Sequence, residues 1–394
     1  MYKQFINIRV FVILFLFLAL GACGGSNSGN SGTDSGDNTA PVANAGPDQT
    51  LVVSSLVSLN GSGSSDTDGD PLTYNWSFTS KPVSSSAVLS DSTSAIPSFV
   101  ADVVGDYVLS LVVNDGSLDS IADEVIVTIA TDVGGILSTN TTWNLINSPY
   151  LITSDVQIAY GITLQIDADV KVIGNNGNIK VFGVLNATGM ENAKIKFDGV
   201  NIVPGNGPTN EWFRINIDYA EVNSGSIYYP TGNAVYGSIS LRNSILTNMA
   251  YMYLWYPVED CIIEKNIFIN SGGISVGHNN NIKVYVRNNA FYQYTGDNGQ
   301  EYAIKNWASY GTSETVVEYN SFLSNDRFAL ILPGGYTSSS ITAVNNYWNT
   351  TDTAVIDSMI YDKNDDLSSA EYITYSPFLT TPDPNTPDIS PYIP

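Results

Sequence analysis

The chain has 394 residues, 38 acidic side chains against 15 basic ones, and a formal net charge of −23 at pH 7. A surface this acidic repels nucleic acid, so we exclude nucleic acid as a partner. Two cysteines and one histidine also exclude a disulfide-stapled fold and a Cys/His zinc site.

The first 22 residues have the layout of a secretory signal. Lys3 and Arg9 precede an apolar run, Val10–Leu20, that is shorter than the roughly 20 residues of a membrane-spanning helix. The sequence Leu20-Gly21-Ala22-Cys23 resembles the lipobox of bacterial lipoproteins. The resemblance implies cleavage before Cys23, acylation of Cys23, and a lipid-anchored protein of the outer membrane or cell surface. Cys261 is then left without a disulfide partner.

Residues 23–39 form a Gly/Ser/Asn-rich linker, which we expect to act as a flexible tether. Residues 40–131 contain short alternating apolar segments between Gly, Ser, Asp and Pro turns, the pattern of a small β-sandwich. The motifs Pro41-Val-Ala-Asn-Ala-Gly-Pro-Asp and Gly105-Asp-Tyr-Val-Leu-Ser-Leu-Val-Val-Asn-Asp-Gly resemble the polycystic-kidney-disease (PKD) domain. The resemblance implies that Trp76 is the core tryptophan, and that the module is a spacer or a carbohydrate-associated domain.

An acidic turn of this domain contains Asp66, Asp68 and Asp70. Its spacing does not fit an EF-hand, which requires glycine at the sixth position and an acid at the twelfth. We interpret it as an Asp-Gly turn between strands, with Ca²⁺ binding as the alternative. No other metal or cofactor is expected.

Residues 135–380 contain a repeat centred on asparagine. Five asparagines are each followed two residues later by a large apolar side chain, at intervals of 23, 23, 31 and 26 residues: Asn243, Asn266, Asn289, Asn320 and Asn346. A β-rich run precedes most of them, and repeats of this length indicate a solenoid. In a right-handed parallel β-helix, such asparagines would hydrogen-bond to one another at one corner, and the following aromatic residues would stack in the core.

The two ends of this region, including Asn345-Asn-Tyr-Trp348, resemble the pectate-lyase-like superfamily of parallel β-helix proteins. The predicted fold class is therefore all-β, a small Ig-like β-sandwich followed by a right-handed parallel β-helix. We expect the Pro-rich tail, residues 381–394, to be disordered.

One column of side chains has the composition of an acid–base site. Side chains two positions before each repeating asparagine are predicted to point outward, which puts Glu264, Arg287 and Glu318 on consecutive turns about 4.8 Å apart. Glu221 and Leu241 would precede them in the column. Two carboxylates with an arginine could serve a polysaccharide lyase or hydrolase. Because no complete catalytic motif accompanies them, we favour a surface ion-pair ladder.

Aromatic residues are the second candidate site. Tyr251, Tyr253 and Trp255 alternate along one predicted strand, and Tyr285 and Trp307 lie in neighbouring repeats. Exposed rings of this kind could stack on sugars, whereas the alternative is that they fill the core or plug turns.

The leading prediction is a non-catalytic cell-surface lipoprotein whose β-helix binds or scaffolds a polysaccharide or a surface protein. The alternatives are a polysaccharide lyase or glycosidase of the pectate-lyase-like superfamily, and an adhesin-like stalk. The sequence leaves the ligand and the oligomeric state open.

Overall fold

The computed structural model describes residues 38–205, 212–228, 236–277, 281–296, 299–308, 314–336 and 338–393. Cys23 and the predicted signal lie outside these residues. No helix in the described part of the chain is both long and apolar enough to cross a membrane.

The N-terminal unit is a β-sandwich. Strand β5 pairs antiparallel with β3 and β6, β1 joins β6 in parallel, and β2 pairs antiparallel with β4. Its strands are β1 (Gln49–Val52), β2 (Leu56–Ser58), β3 (Thr73–Ser80), β4 (Ser98–Val100), β5 (Gly105–Asn114) and β6 (Asp123–Leu137). Trp76 lies in the core with 2% of its surface exposed, as predicted.

The rest of the chain repeats short strands and has one short α-helix, α1 (Thr353–Ser358), with single 3₁₀ turns at Leu145–Asn147 and Ser390–Tyr392. The strands are β7 (Thr141–Trp143), β8 (Tyr150–Ile158), β9 (Thr163–Ile166), β10 (Lys171–Gly174), β11 (Ile179–Val181), β12 (Val184–Thr188), β13 (Ile195–Asp198), β14 (Asn201–Pro204), β15 (Phe213–Asp218), β16 (Ala220–Asn223), β17 (Ser226–Ile227), β18 (Gly237–Arg242), β19 (Ile245–Thr247), β20 (Met252–Trp255), β21 (Cys261–Glu264), β22 (Ile267–Ile269), β23 (Ile274–Gly277), β24 (Lys283–Arg287), β25 (Ala290–Tyr292), β26 (Tyr302–Ala308), β27 (Glu314–Glu318), β28 (Ser321–Phe322), β29 (Phe328–Ile331), β30 (Ile341–Thr342) and β31 (Ile360–Tyr361).

These strands form a parallel β-helix of about eight turns, here called rungs. Each strand pairs in parallel with the equivalent strand of the next rung, which gives three sheets. Sheet one contains β7, β9, β12, β15, β18, β21, β24, β27 and β30; sheet two contains β10, β13, β16, β19, β22, β25 and β28; sheet three contains β11, β14, β17, β20, β23, β26, β29 and β31. The predicted all-β fold, a sandwich followed by a parallel β-helix, is confirmed.

An asparagine ladder marks the corner between sheets one and two. Asn266, Asn289, Asn320 and Asn346 are fully buried. In each consecutive pair the side-chain amide donates to the next Oδ1 at 3.0 Å. Two residues on, Phe268, Phe291, Phe322 and Trp348 stack inside the core with ring centroids 4.7, 5.3 and 5.0 Å apart. Both predicted ladders are present.

The predicted alignment is wrong by one residue at the first asparagine. Ser244, not Asn243, heads the ladder, and its backbone N–H donates to Asn266 Oδ1 at 3.0 Å. Asn243 has φ 49° and lies at the corner itself. Consequently Leu246 pairs with Phe268 in the core, while Ile245 pairs with Ile267 on the outside.

The sandwich and the β-helix share strand β6. Its first part pairs with β1 and β5, and Thr131–Leu137 pair with β8 in the first rung. The register shifts near Gly135, whose φ of +83° favours glycine. At Gly134 a side chain would collide with Ser154. The chain therefore passes from one unit to the other without leaving the sheet.

The C-terminal tail is ordered, in contrast to the prediction of disorder. Ile389 is 7% exposed and packs on Ile267 and Ala290 of sheet two. The Asn288 amide donates to Asp383 Oδ1 at 3.0 Å, and the Thr386 hydroxyl donates to the Tyr319 carbonyl at 2.6 Å. Prolines suggested disorder, but the two tail isoleucines, Ile389 and Ile393, cover an apolar row that would otherwise face water.

Candidate functional site

The acid–base column lies on the outer face of sheet one. Cα partners across the sheet run from Arg242 to Glu264, Arg287 and Glu318 on consecutive strands. The last three side chains are partly exposed and point outward, as predicted. At the head of the column the prediction is wrong, since Leu241 is fully buried and Arg242 takes the outward place. Glu221 is on sheet two, where it pairs with Ile245.

Both carboxylates of this column lie next to an arginine. Arg242 Nε is 3.2 Å from Glu264 Oε1, and Arg287 Nη1 is 3.9 Å from Glu318 Oε1. The side chains are between 24% and 38% exposed. A general base needs an accessible lone pair aimed at the substrate. Carboxylates that face arginines along a partly exposed ladder match the ion-pair interpretation.

A second ionic row runs along the opposite edge of the same sheet. Arg214 forms a bidentate pair with Glu259, and Lys283 Nζ lies 2.9 Å from Glu314 Oε2. The hydrogen bonds from Arg214 hold the pKa of Glu259 below its usual range. Between the two rows, Tyr285 stands beside the Arg287 guanidinium, whose Cζ is 4.3 Å from the ring centroid.

A cluster of tyrosines covers part of sheet three. Tyr251 and Tyr253 project outward from β20 and its N-terminal flank, with ring centroids 5.1 Å apart and nearly parallel planes. Tyr228 from the preceding rung meets both rings edge to face, at 4.7 and 5.0 Å. Met252 and Leu254, which alternate with them in sequence, are buried in the core. Strand alternation therefore fixes these rings on the outer face.

Trp307 continues this aromatic row two rungs later. Its indole N–H donates to the hydroxyl of Ser275 at 2.7 Å, and Ser275 is the strand partner of Tyr253. The register shifts by one residue at Trp307, between the pairs Val276–Asn306 and Gly277–Ala308. Such an irregularity re-aims a side chain. We call Tyr228, Tyr251, Tyr253 and Trp307 the aromatic strip.

Two further residues fix the position of Trp307. The Lys305 ammonium lies 4.1 Å from the Trp307 ring centroid, although Lys305 is only 4% exposed. The Tyr336 ring meets Trp307 edge to face at 5.2 Å. The sequence did not single out Lys305 or Ser275. Their register opposite Tyr253 would have been the signal, but it requires the strand alignment.

The five aromatic candidates are thus divided between two faces. Tyr251, Tyr253 and Trp307 lie on sheet three, and Trp255 belongs to the same strand as Tyr253, although its side chain is outside the described residues. Tyr285 lies on sheet one. The sheets are different because Tyr285 precedes the asparagine corner, whereas the other residues follow it.

The acidic turn of the sandwich bonds to its own backbone. Asp66 Oδ1 accepts the N–H groups of Asp68 and Asp70 at 2.9 and 3.2 Å. Thr39 donates from its backbone and hydroxyl to Asp68, which lowers the pKa of that carboxyl. Within the described residues, no group of three or more His, Cys, Asp or Glu side chains is arranged to hold a metal ion.

Cys261 is buried in β21 and faces the core of the β-helix. Burial raises the pKa of its thiol to about 12. A thiol that stays protonated and inaccessible is a poor nucleophile, so Cys261 is a packing residue.

Comparison with known proteins concerns the sandwich. Residues 45–129 match the model of a PKD domain family. The solved PKD domain from KIAA 1837 protein is 30% identical and covers 28% of this chain and 97% of its own, with a TM-score of 0.22. The PKD domain of human KIAA0319 is 21% identical and covers 27% and 96%, also with a TM-score of 0.22.

One larger protein is also similar in part. It is described as a nucleoside hydrolase-related hypothetical protein from Saccharophagus degradans that is associated with carbohydrate metabolism. It is 29% identical over 23% of this chain, with a TM-score of 0.22, and this chain spans about a quarter (26%) of its length. No curated protein matches the chain.

Proposed function

With residues 45–129 forming a domain of the PKD family, we propose that this protein is a surface lipoprotein whose β-helix binds glycans without cleaving them. Acyl chains on Cys23 would anchor it to the outer membrane, and the β-helix, which follows the sandwich in the chain, would carry the binding face. The finding that supports glycan binding is the aromatic strip of sheet three.

The strip has the physical properties of a sugar-stacking surface. Tyr228, Tyr251, Tyr253 and Trp307 are all partly exposed, and none of these four side chains carries a charge at neutral pH. Aromatic rings pack against the apolar faces of sugars, and their hydroxyl and N–H groups can bond to sugar hydroxyls. The rings also hold one another in place, which reduces the conformational entropy lost on binding.

Catalysis has weaker support than binding. A glycosidase needs two carboxyl groups that converge on the scissile bond. Glu264 and Glu318 are two rungs apart, and each lies within 4 Å of an arginine nitrogen. The lyase or glycosidase alternative therefore rests on the resemblance of the fold alone.

Glycan-array binding by the purified full-length chain tests the proposal. We expect binding that weakens about tenfold in Trp307→Ala and in Tyr253→Ala, since each substitution removes a stacking ring. Tyr372→Ala is the matched control, because Tyr372 is 57% exposed and lies outside the strip.

Two results would contradict the proposal. Release of unsaturated or reducing-end products from a polysaccharide, abolished by Glu264→Gln, would make the protein an enzyme. An array without any bound glycan would favour a structural stalk.

A further inference from the structure

The C-terminal tail creates a cleft where it crosses the rungs at its far end. It leaves the Asn346 rung, where the Leu379 N–H donates to the Asn346 carbonyl at 2.9 Å. It then runs back along the corner between sheets one and two, as far as the rung of Tyr219. The cleft between its last residues and that corner encloses about 330 Å³. Small-molecule sites range from roughly 300 to 1,000 Å³.

The wall on the β-helix side consists of three corner residues from consecutive rungs. Tyr219, Asn243 and Lys265 have φ values of 52°, 49° and 58°. All three line the cleft, and Tyr392 of the tail lines the opposite side. Ile245 and Ile267 add an apolar surface. Two tyrosine rings therefore face a common space that also contains amide and ammonium groups.

Several polar groups at the cleft have no hydrogen-bond partner within the described residues. These are the Lys265 ammonium and the hydroxyls of Tyr219 and Tyr392. The Asn243 amide nitrogen donates to Asp218 at 2.7 Å, which leaves its Oδ1 for a ligand. Donors and an acceptor above an apolar surface match the alternating hydroxyl edges and apolar faces of a sugar ring.

The charges around the cleft cancel. Lys194 and Lys265 are matched by Glu191 and Asp388. Lys194 already donates to the Glu191 carbonyl at 2.9 Å, and Asp388 accepts from the backbone and hydroxyl of Ser390 at 2.9 Å. A balanced site gives a polyanion no net attraction, and the surrounding acidic surface repels it.

We propose that this cleft binds a short neutral saccharide of one or two rings, held between Tyr219 and Tyr392 and hydrogen-bonded by Lys265 and Asn243. The tail is therefore part of a binding site as well as a cover for sheet two. This proposal does not depend on the aromatic strip, which lies on sheet three.

The test is ligand-observed NMR and calorimetry on the purified full-length chain. The probes are cellobiose, maltose, lactose and N,N′-diacetylchitobiose, with digalacturonate as the charged counterpart. We expect millimolar or tighter binding of at least one neutral disaccharide. Tyr219→Ala and Tyr392→Ala should each weaken it about tenfold. Tyr219→Phe should weaken it less, because it keeps the ring.

Two controls separate this site from other effects. Tyr253→Ala in the aromatic strip should leave disaccharide binding unchanged, so this site can fail while the strip still binds glycans. An unchanged thermal unfolding midpoint in Tyr392→Ala would show that lost binding is not lost folding. The proposal is overturned by no binding of any neutral disaccharide, by preference for digalacturonate, or by binding that survives both tyrosine substitutions.

Discussion

Two ladders cross the same rungs of the β-helix two residues apart, and they follow opposite physics. The outer ladder, Arg242 to Glu318, stacks charges that are partly in water. The inner ladder, Asn266 to Asn346, stacks neutral amides that are fully buried. Both repeat at the strand spacing of about 4.8 Å.

Burial decides what each ladder contributes to stability. The Asn289 side chain accepts from the backbone and the amide of Asn266, and it donates to Ile263, Arg287 and Asn320. Groups buried in this way have no water to replace a lost partner. The charges of the outer ladder keep their hydration, so a lost partner is partly replaced by solvent.

Breaking the inner ladder should have the largest effect. We expect Asn289→Ala to lower the free energy of unfolding by about 3–4 kcal/mol, because each buried group left unsatisfied costs about 1–3 kcal/mol. Urea denaturation followed by tryptophan fluorescence would measure it. Asn270→Ala is the matched control, since Asn270 bonds to Asn248 at 2.7 Å in an exposed amide row. Equal losses in the two variants would refute the role given to burial.

Breaking the outer ladder should cost much less. Glu264→Gln and Arg287→Met are each expected to change the free energy of unfolding by less than about 1 kcal/mol, as exposed ion pairs do. The same denaturation experiment at low and high salt would detect the change, and salt should reduce it further. A loss comparable with that of Asn289→Ala would mean that the outer ladder is structural after all.

Acid should produce the smallest effect. The pKa of Glu259 is lowered by its bonds to Arg214, so the pair stabilises the fold fully above the unfolded-state pKa of about 4.3. That contribution disappears as the pH falls through the lower folded-state value. We expect Glu259→Gln to be less stable than the wild type at pH 7, by less than about 1 kcal/mol. The difference should vanish in strong acid. A difference that persists at a pH of about 2, below the carboxyl titration range, would assign the effect to packing.

The inner ladder could be predicted from the sequence because asparagine at a buried corner has few substitutes. A 23-residue interval between Asn266 and Asn289 matches one rung, and the aromatic residues two positions on support the same register. The first member was misplaced because Asn243 fits the spacing as well as Ser244 does. A hydroxyl can cap the ladder, and no periodicity in the sequence distinguishes the two.

The candidate sites were harder to predict because they depend on phase. Whether Tyr285 and Tyr253 share a face depends on which side of the asparagine corner each strand lies, and that follows only from strand pairing. The ordered tail was missed for another reason. Its proline content favours an extended chain, and only tertiary contacts such as that of Ile389 with Ile267 fix its position.

Strand β6 has a mechanical consequence. Its 15 residues extend about 50 Å at roughly 3.3 Å per residue, and they belong to both structural units. A force that pulls the sandwich away from the β-helix therefore acts along the strand, in shear. Hydrogen bonds to β1, β5 and β8 lie across that direction and must break together rather than one at a time. Tension would thus be transmitted through the junction rather than absorbed by a hinge.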